Sequence, residues 1–220
     1  MGEGEIMKIL VVAAHPDDEV LGVGGTILKH ISAGDKVYIC IVTKAYEPQW
    51  SRGYIENKIR EQKQVDKILG VNKRFNLDLP TVKLNTVPHG EINKKISLLI
   101  DEVEPDILYT HFEGDINYDH TLIFRACLVG TRPPRRIKLL CYETLSETEW
   151  NNKSFLPNVW IDIGKYMNKK IKAFATYKSE IKKHPHPRSE DGIKTLARKR
   201  GYEICKEYAE AFMLIREIWD

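Results

Sequence analysis

Cysteine is scarce and scattered in this 220-residue sequence: only Cys40, Cys127, Cys141 and Cys205 are present, with no C-x-x-C pair. A thiol-cluster zinc site is excluded by that spacing, and the four read as reduced, mostly core residues of an intracellular protein. Charge of one sign is lacking too. The 34 Lys and Arg nearly balance 31 Asp and Glu, leaving +3, and the bases are interleaved with acids throughout. Nucleic acid is therefore not an expected partner. No apolar run is long enough for a membrane span. The opening MGEGEIMKIL has neither a basic flank nor a hydrophobic signal core, which makes the cytoplasm the expected location. Internal repeats, low-complexity tracts and linkers are also missing, so residues 1–220 read as one domain.

What is present is a regular alternation. MKILVVAA is a short apolar run rich in β-branched residues, which predicts a strand buried on both faces. GGTILKHISAG predicts a helix ended by Gly34, and DKVYICIVT a second buried strand. SRGYIENKIREQKQVDKILG is a charged amphipathic helix stopping at Gly70, followed by a short apolar piece near RFNLDLP. EINKKISLLIDEVEPD is a further helix closed by Pro105; ILYTH is a strand and TLIFRACLVGTR a helix. RIKLLCYET and NVWIDI predict two more strands. From Lys165 the charged sequence predicts helix to the end, interrupted by KKHPHPRS. The expected fold is α/β: a doubly wound, mostly parallel sheet with helices on both faces and a helical C-terminal segment.

Two clusters of histidine and acid fall at strand ends. His15, Asp17, Asp18 and Glu19 follow the first strand, and THFEGDINYDH, Thr110 to His120, overlaps the end of another. In open α/β sheets, ligands bind beyond the carboxyl ends of the strands. A catalytic zinc needs about three protein ligands plus an open position for water. His15 and Asp18 are spaced to share one side of a helical turn, and His120 can come from the neighbouring loop. Asp17, between two ligands, is then free to take a proton from the water that the metal acidifies. Two rival readings exist. Three acids also suit a helix amino-terminus, where the dipole favours them. Glycines after a first strand also suggest a dinucleotide fold, but Gly22, Gly24 and Gly25 come after the acids and spell G-V-G-G. Those glycines fit close helix packing better.

AHPDDE with its glycine-rich continuation, and PDILYTHFEGDINYDH later, resemble the two motifs of the LmbE/PIG-L superfamily of metal-dependent deacetylases. The resemblance extends to TRP at 131–133, SETEW at 146–150, YKSE…HPHPRS and AEAF, so it covers nearly the whole chain. It looks like the branch of short members linked with surface-polysaccharide or glycoconjugate synthesis. It implies a Rossmann-like sheet, zinc or ferrous iron, and hydrolysis of the N-acetyl group of N-acetylglucosamine-type sugars. Carried over by position, His15, Asp18 and His120 are the implied metal ligands and Asp17 the general base. The family also includes oligomers, so a homo-oligomer is compatible with it. One position departs. Many members have, three residues before the last ligand histidine, a histidine that stabilises the oxyanion; here Asn117 stands there. An amide can donate to an oxyanion but cannot protonate a leaving amine. That leaves Asp17 to shuttle the proton, or another acid, with His111 and His186 the histidines to inspect.

Supporting positions follow. Asp115 and Asp119 can orient ligand histidines, or serve as loop acids. Arg188 offers a planar fork for a phosphate or carboxylate if the substrate is nucleotide- or lipid-linked, with His186 and His111 as further substrate contacts. Trp50 and Trp150 can stack on a sugar or pack in the core. Arg60 and Glu61 read as a solvated helix face, and His30 and His89 as incidental surface residues. Two other functions stay open: a non-catalytic sugar or nucleotide-sugar binding module, and an amidase for a different acylated conjugate.

Overall fold

A computed structural model describes residues 5–219; the first four residues of the opening stretch, read above as lacking a signal core, lie outside them. The chain runs β1 (Lys8–Ala13), α1 (Asp18–Ala33), β2 (Lys36–Lys44), α2 (Arg52–Leu69), β3 (Lys73–Pro80), α3 (His89–Val103), β4 (Ile107–His111) and α4 (Tyr118–Gly130). β5 (Lys138–Tyr142), β6 (Val159–Asp162), α5 (Met167–Phe174), α6 (Glu190–Tyr202) and β7 (Ala209–Arg216) complete it. The seven strands form one sheet in the order β3-β2-β1-β4-β5-β7-β6. The first five in that order are parallel; β7 runs antiparallel to both β5 and β6. The chain winds outward from β1 to β3, then returns to place β4 on the other side of β1. The crevice between the ends of β1 and β4 is thus the switch point, where such sheets bind ligands.

β1 explains the doubly wound layout. Ile9, Val11 and Ala13 pack on one face with α1 and α5, while Leu10, Val12 and Ala14 pack on the other with α3 and α4. A strand covered on both faces is apolar along its buried length, as this one is from Ile9 onward. Gly34 and Gly70 end α1 and α2 in the left-handed conformation, which costs glycine least. Gly22 faces the Tyr142 ring, where a β-carbon would sit 2.2 Å from a ring atom. The G-V-G-G run therefore serves close packing.

The C-terminal expectation needs correction. α5 and α6 are helical, but the last element is a strand, β7, and not a helix. Ala, Glu, Met, Leu and Arg are good helix formers, so AEAFMLIR carries a helical propensity that pairing between β5 and β6 overrides. Its Glu210 is buried and bonds Lys170 Nζ at 2.6 Å. The pair reaches into the middle of α1: Lys170 donates to the Leu21 carbonyl, and Glu210 accepts from the amides of Gly25 and Thr26. Among the described residues, no helix is long and apolar enough to cross a membrane.

Candidate active site

The ends of three strands are tied together before the site begins. Ala14, just past β1, donates its N–H to His111 Nε2 at the end of β4 (2.8 Å). The Ala14 carbonyl accepts from both the amide and the hydroxyl of Thr43 on β2. The chain then turns through His15 and Pro16 into α1. Asp17, Asp18 and Glu19 are 3, 1 and 0% exposed, whereas acids that merely favour a helix amino-terminus face solvent. Asp17 occupies the N-cap position yet makes no capping bond with its side chain.

His15, Asp18 and His120 each offer a ligand atom within 4.8 Å of the others. Asp18 Oδ2 lies 3.3 Å from His15 Nδ1 and 3.4 Å from His120 Nε2. Ligands about 2.0–2.1 Å from a tetrahedral zinc stand roughly 3.3–3.4 Å apart. The far nitrogen of each ring is fixed by a carboxylate: His15 Nε2 by Asp119 (3.1 Å) and His120 Nδ1 by Asp115 (2.8 Å). Asp119 also accepts from the amides of Val82 and Leu84, and Asp115 from the Thr148 hydroxyl. These carboxylates set which nitrogen each ring turns inward. His120 Nε2 is buried with no hydrogen-bond partner, an atom whose lone pair suits a metal. Burial opposes charge on both rings, but the surrounding carboxylates prevail, lifting His15 to about 9 and His120 to about 10. The pocket thus stabilises positive charge between its carboxylates, which a divalent cation also supplies. The donor set fits zinc or ferrous iron.

Asp17 turns the other way, into the wall of a cavity of about 680 Å³, a size typical of small-molecule sites. Its φ of 141° is one that L-residues rarely adopt. Two partners hold it: its N–H donates to the buried Glu19 Oε2 (2.9 Å), and its Oδ2 accepts from the half-buried Arg188 Nη1 (2.9 Å). Burial and the adjacent Asp18 push its carboxyl well above the usual range, against the pull of Arg188. Asn117 lines the same cavity; its Oδ1 accepts the Asp119 amide, capping α4. The side-chain Nδ2 is the atom left to donate elsewhere.

Three expected substrate contacts fall differently. His111 is fully buried beneath the centre, stacked 3.7 Å from His120 and bonded to Ala14 and Tyr142, so it does not line the cavity. A second histidine–acid cluster of His111, Asp115 and His120 exists. His111 keeps Nδ1 unpartnered, but of the three histidines only His15 borders the cavity, so the first cluster is the candidate centre. His186 accepts the Arg188 amide and stands edge-on to Trp150, outside the wall. Arg188 reaches the cavity, but its guanidinium is committed to Asp17, Glu147, Ser146 and the Leu145 carbonyl. It is therefore not a free fork for a phosphate.

Other residues escaped the sequence reading. Glu19 accepts from Arg74 (3.0 Å) and the Tyr177 hydroxyl (2.5 Å), making the buried brace behind Asp17. An arginine inside RFNLDLP was the available signal. Glu147 and Glu180 join Arg188 on the wall, with Glu180 also paired to Lys58. Trp50 lines the cavity, whereas Trp150 is 55% exposed beside His186. His30 is no incidental surface residue; it bonds Asp35 and Tyr109.

A histidine–aspartate cluster that could hold a metal thus lies at the switch point, with a braced carboxylate beside it. The chain belongs to the PIG-L family, described as GlcNAc-PI de-N-acetylase, whose model matches residues 10–129 and so spans both clusters. It is 30% identical over 180 residues to the uncharacterised deacetylase YaiS of Escherichia coli, covering 78% of this chain and 90% of that protein. A diacetylchitobiose deacetylase of Thermococcus kodakarensis is 24% identical, over 98% of this chain and 85% of the relative. The conserved protein TT1542 of Thermus thermophilus superposes with a TM-score of 0.79 at 25% identity, covering 98% and 97% of the two chains.

Proposed function

We propose that this protein is a metal-dependent N-deacetylase that removes acetyl from an N-acetylated amino sugar of the N-acetylglucosamine type, working in the cytoplasm. The observation that carries it is the meeting of His15, Asp18 and an unpartnered His120 Nε2 beside Asp17 on a cavity wall. Family membership and the deacetylase relatives support the reaction class. Zinc is the metal proposed, with ferrous iron the other ion suited to the donors.

When bound, the metal supplies Lewis acidity, acidifying a water and polarising the acetamide carbonyl. His15, Asp18 and His120 hold it; Asp115 and Asp119 keep the two rings in register. Asp17 takes the water's proton at a carboxylate oxygen, with Arg188 and Glu19 fixing its direction. Asn117 donates Nδ2 to the negative charge that develops on the carbonyl oxygen. The cavity accommodates the sugar, and Trp50 offers a face for its ring.

Two measurements test this together: metal per chain by elemental mass spectrometry, and acetate release across a panel of N-acetyl sugars. About one zinc or iron per chain and release that stops on chelation are expected. Metal binding without release from any N-acetyl sugar would shift the reading to another amide. Absence of both, even with added zinc, would leave a sugar-binding module.

A further inference from the structure

Breaking the C–N bond requires a proton on nitrogen, because an unprotonated amine anion is too basic to leave. Asn117 has no titratable proton. Neither His111 nor His186 reaches the cavity. Among the acids of its wall, Asp17 is the base, Asp66 is gripped by Arg74, and Glu180 is held by Lys58 and Ser179. Asp78 is an exposed partner of Lys44. Glu147 remains.

Its placement is specific. Glu147 lies in the turn after β5, with its N–H bonded to the Thr144 carbonyl at 3.1 Å. Its own carbonyl accepts the N–H of Ile116 at 3.1 Å. That bond fastens the turn to the residue just before Asn117, and Glu147 and Asn117 line the same cavity. Arg188 spans the two wall carboxylates, with Nη2 3.2 Å from Glu147 and Nη1 2.9 Å from Asp17. The Glu147 side chain is 16% exposed. Burial raises its pKa, with His120 and Arg188 pulling the other way.

We propose that Glu147 is the general acid of the deacetylation, a role that rests on the reading above. As the C–N bond breaks, its electron pair passes to nitrogen, which takes the proton from the Glu147 carboxyl. The water has by then given its hydroxyl to the carbonyl carbon and its proton to Asp17. Acetic acid and the free amine result. Asp17 returns its proton to solvent and Glu147 takes one back, so each turnover consumes one water.

The test is Glu147→Gln in zinc-loaded protein, on N,N′-diacetylchitobiose or whichever N-acetyl sugar the wild type hydrolyses. Loss of a general acid is expected to lower kcat about 100-fold or more, with KM within about threefold. On 4-nitrophenyl acetate, whose phenolate leaves without a proton, the loss should be at least about tenfold smaller. Glu147→Asp, which keeps the carboxyl, should regain part of kcat, and zinc per chain and Tm report folding. A kcat within about threefold of wild type would overturn the assignment. Equal losses on amide and ester would overturn it too, leaving Glu147 a mere support for Arg188. A wild type inactive on every N-acetyl sugar would instead sink the deacetylase reading, and this assignment with it.

Discussion

Asp18 and Asp17 are neighbours in sequence with opposite surroundings. Asp18 faces the imidazoles of His15, His111 and His120. Asp17 and Glu19, the acids on either side of Asp18, face the guanidiniums of Arg188 and Arg74. Imidazoles can give up a proton and accept a metal in its place, so the Asp18 side can exchange protons for a cation. Guanidiniums do neither and stay charged. On the proposed reading, one turn of chain thereby separates a coordination half from a proton-transfer half. A motif of consecutive acids need not be a cluster with one purpose.

Four substitutions would break or sharpen that division. His120→Ala should abolish metal retention and, with it, measurable acetate release, because the remaining ligands are too few; mass spectrometry of the purified variant reads this directly. Asp17→Asn should keep about one metal per chain yet lose about 10²–10⁴-fold in kcat. Loss of metal in that variant would place Asp17 in the coordination half. Arg74→Ala strips a buried carboxylate of its partner and should cost about 3 kcal/mol, a fall in Tm of roughly 6–12 °C by calorimetry. An unshifted Tm would mean that Tyr177 and the Asp17 amide satisfy Glu19 between them. Arg188→Lys keeps the charge but not the fork that spans Asp17 and Glu147. A fall in kcat of about tenfold is expected, and an unaltered rate would show the bridge to be incidental.

The sequence made the local features legible. β1 could be read from six consecutive apolar residues, and His15, Asp18 and His120 from their position after two strand ends, which the topology then brings side by side. What it hid were partnerships across long separations. Arg188 meets Asp17 171 residues away and Tyr177 meets Glu19 158 residues away, and nothing in a residue's own neighbourhood announces such a contact. His111 looked available because it closes a strand at the crevice, yet its ring is fully buried beneath the centre. β7 was hidden because helix propensity is a weak local preference that pairing to two neighbours outweighs.

The Lys170–Glu210 pair has a consequence for how the protein is made. Glu210 bonds amides 184 and 185 residues upstream, in the helix that carries Asp18. A ribosome releases the HPDDE turn well before β7. The helix cannot acquire those partners until β7 has followed it out, so the first motif waits on a strand more than 180 residues downstream for that support. Removing the last strand would deprive the centre of support although no ligand is touched.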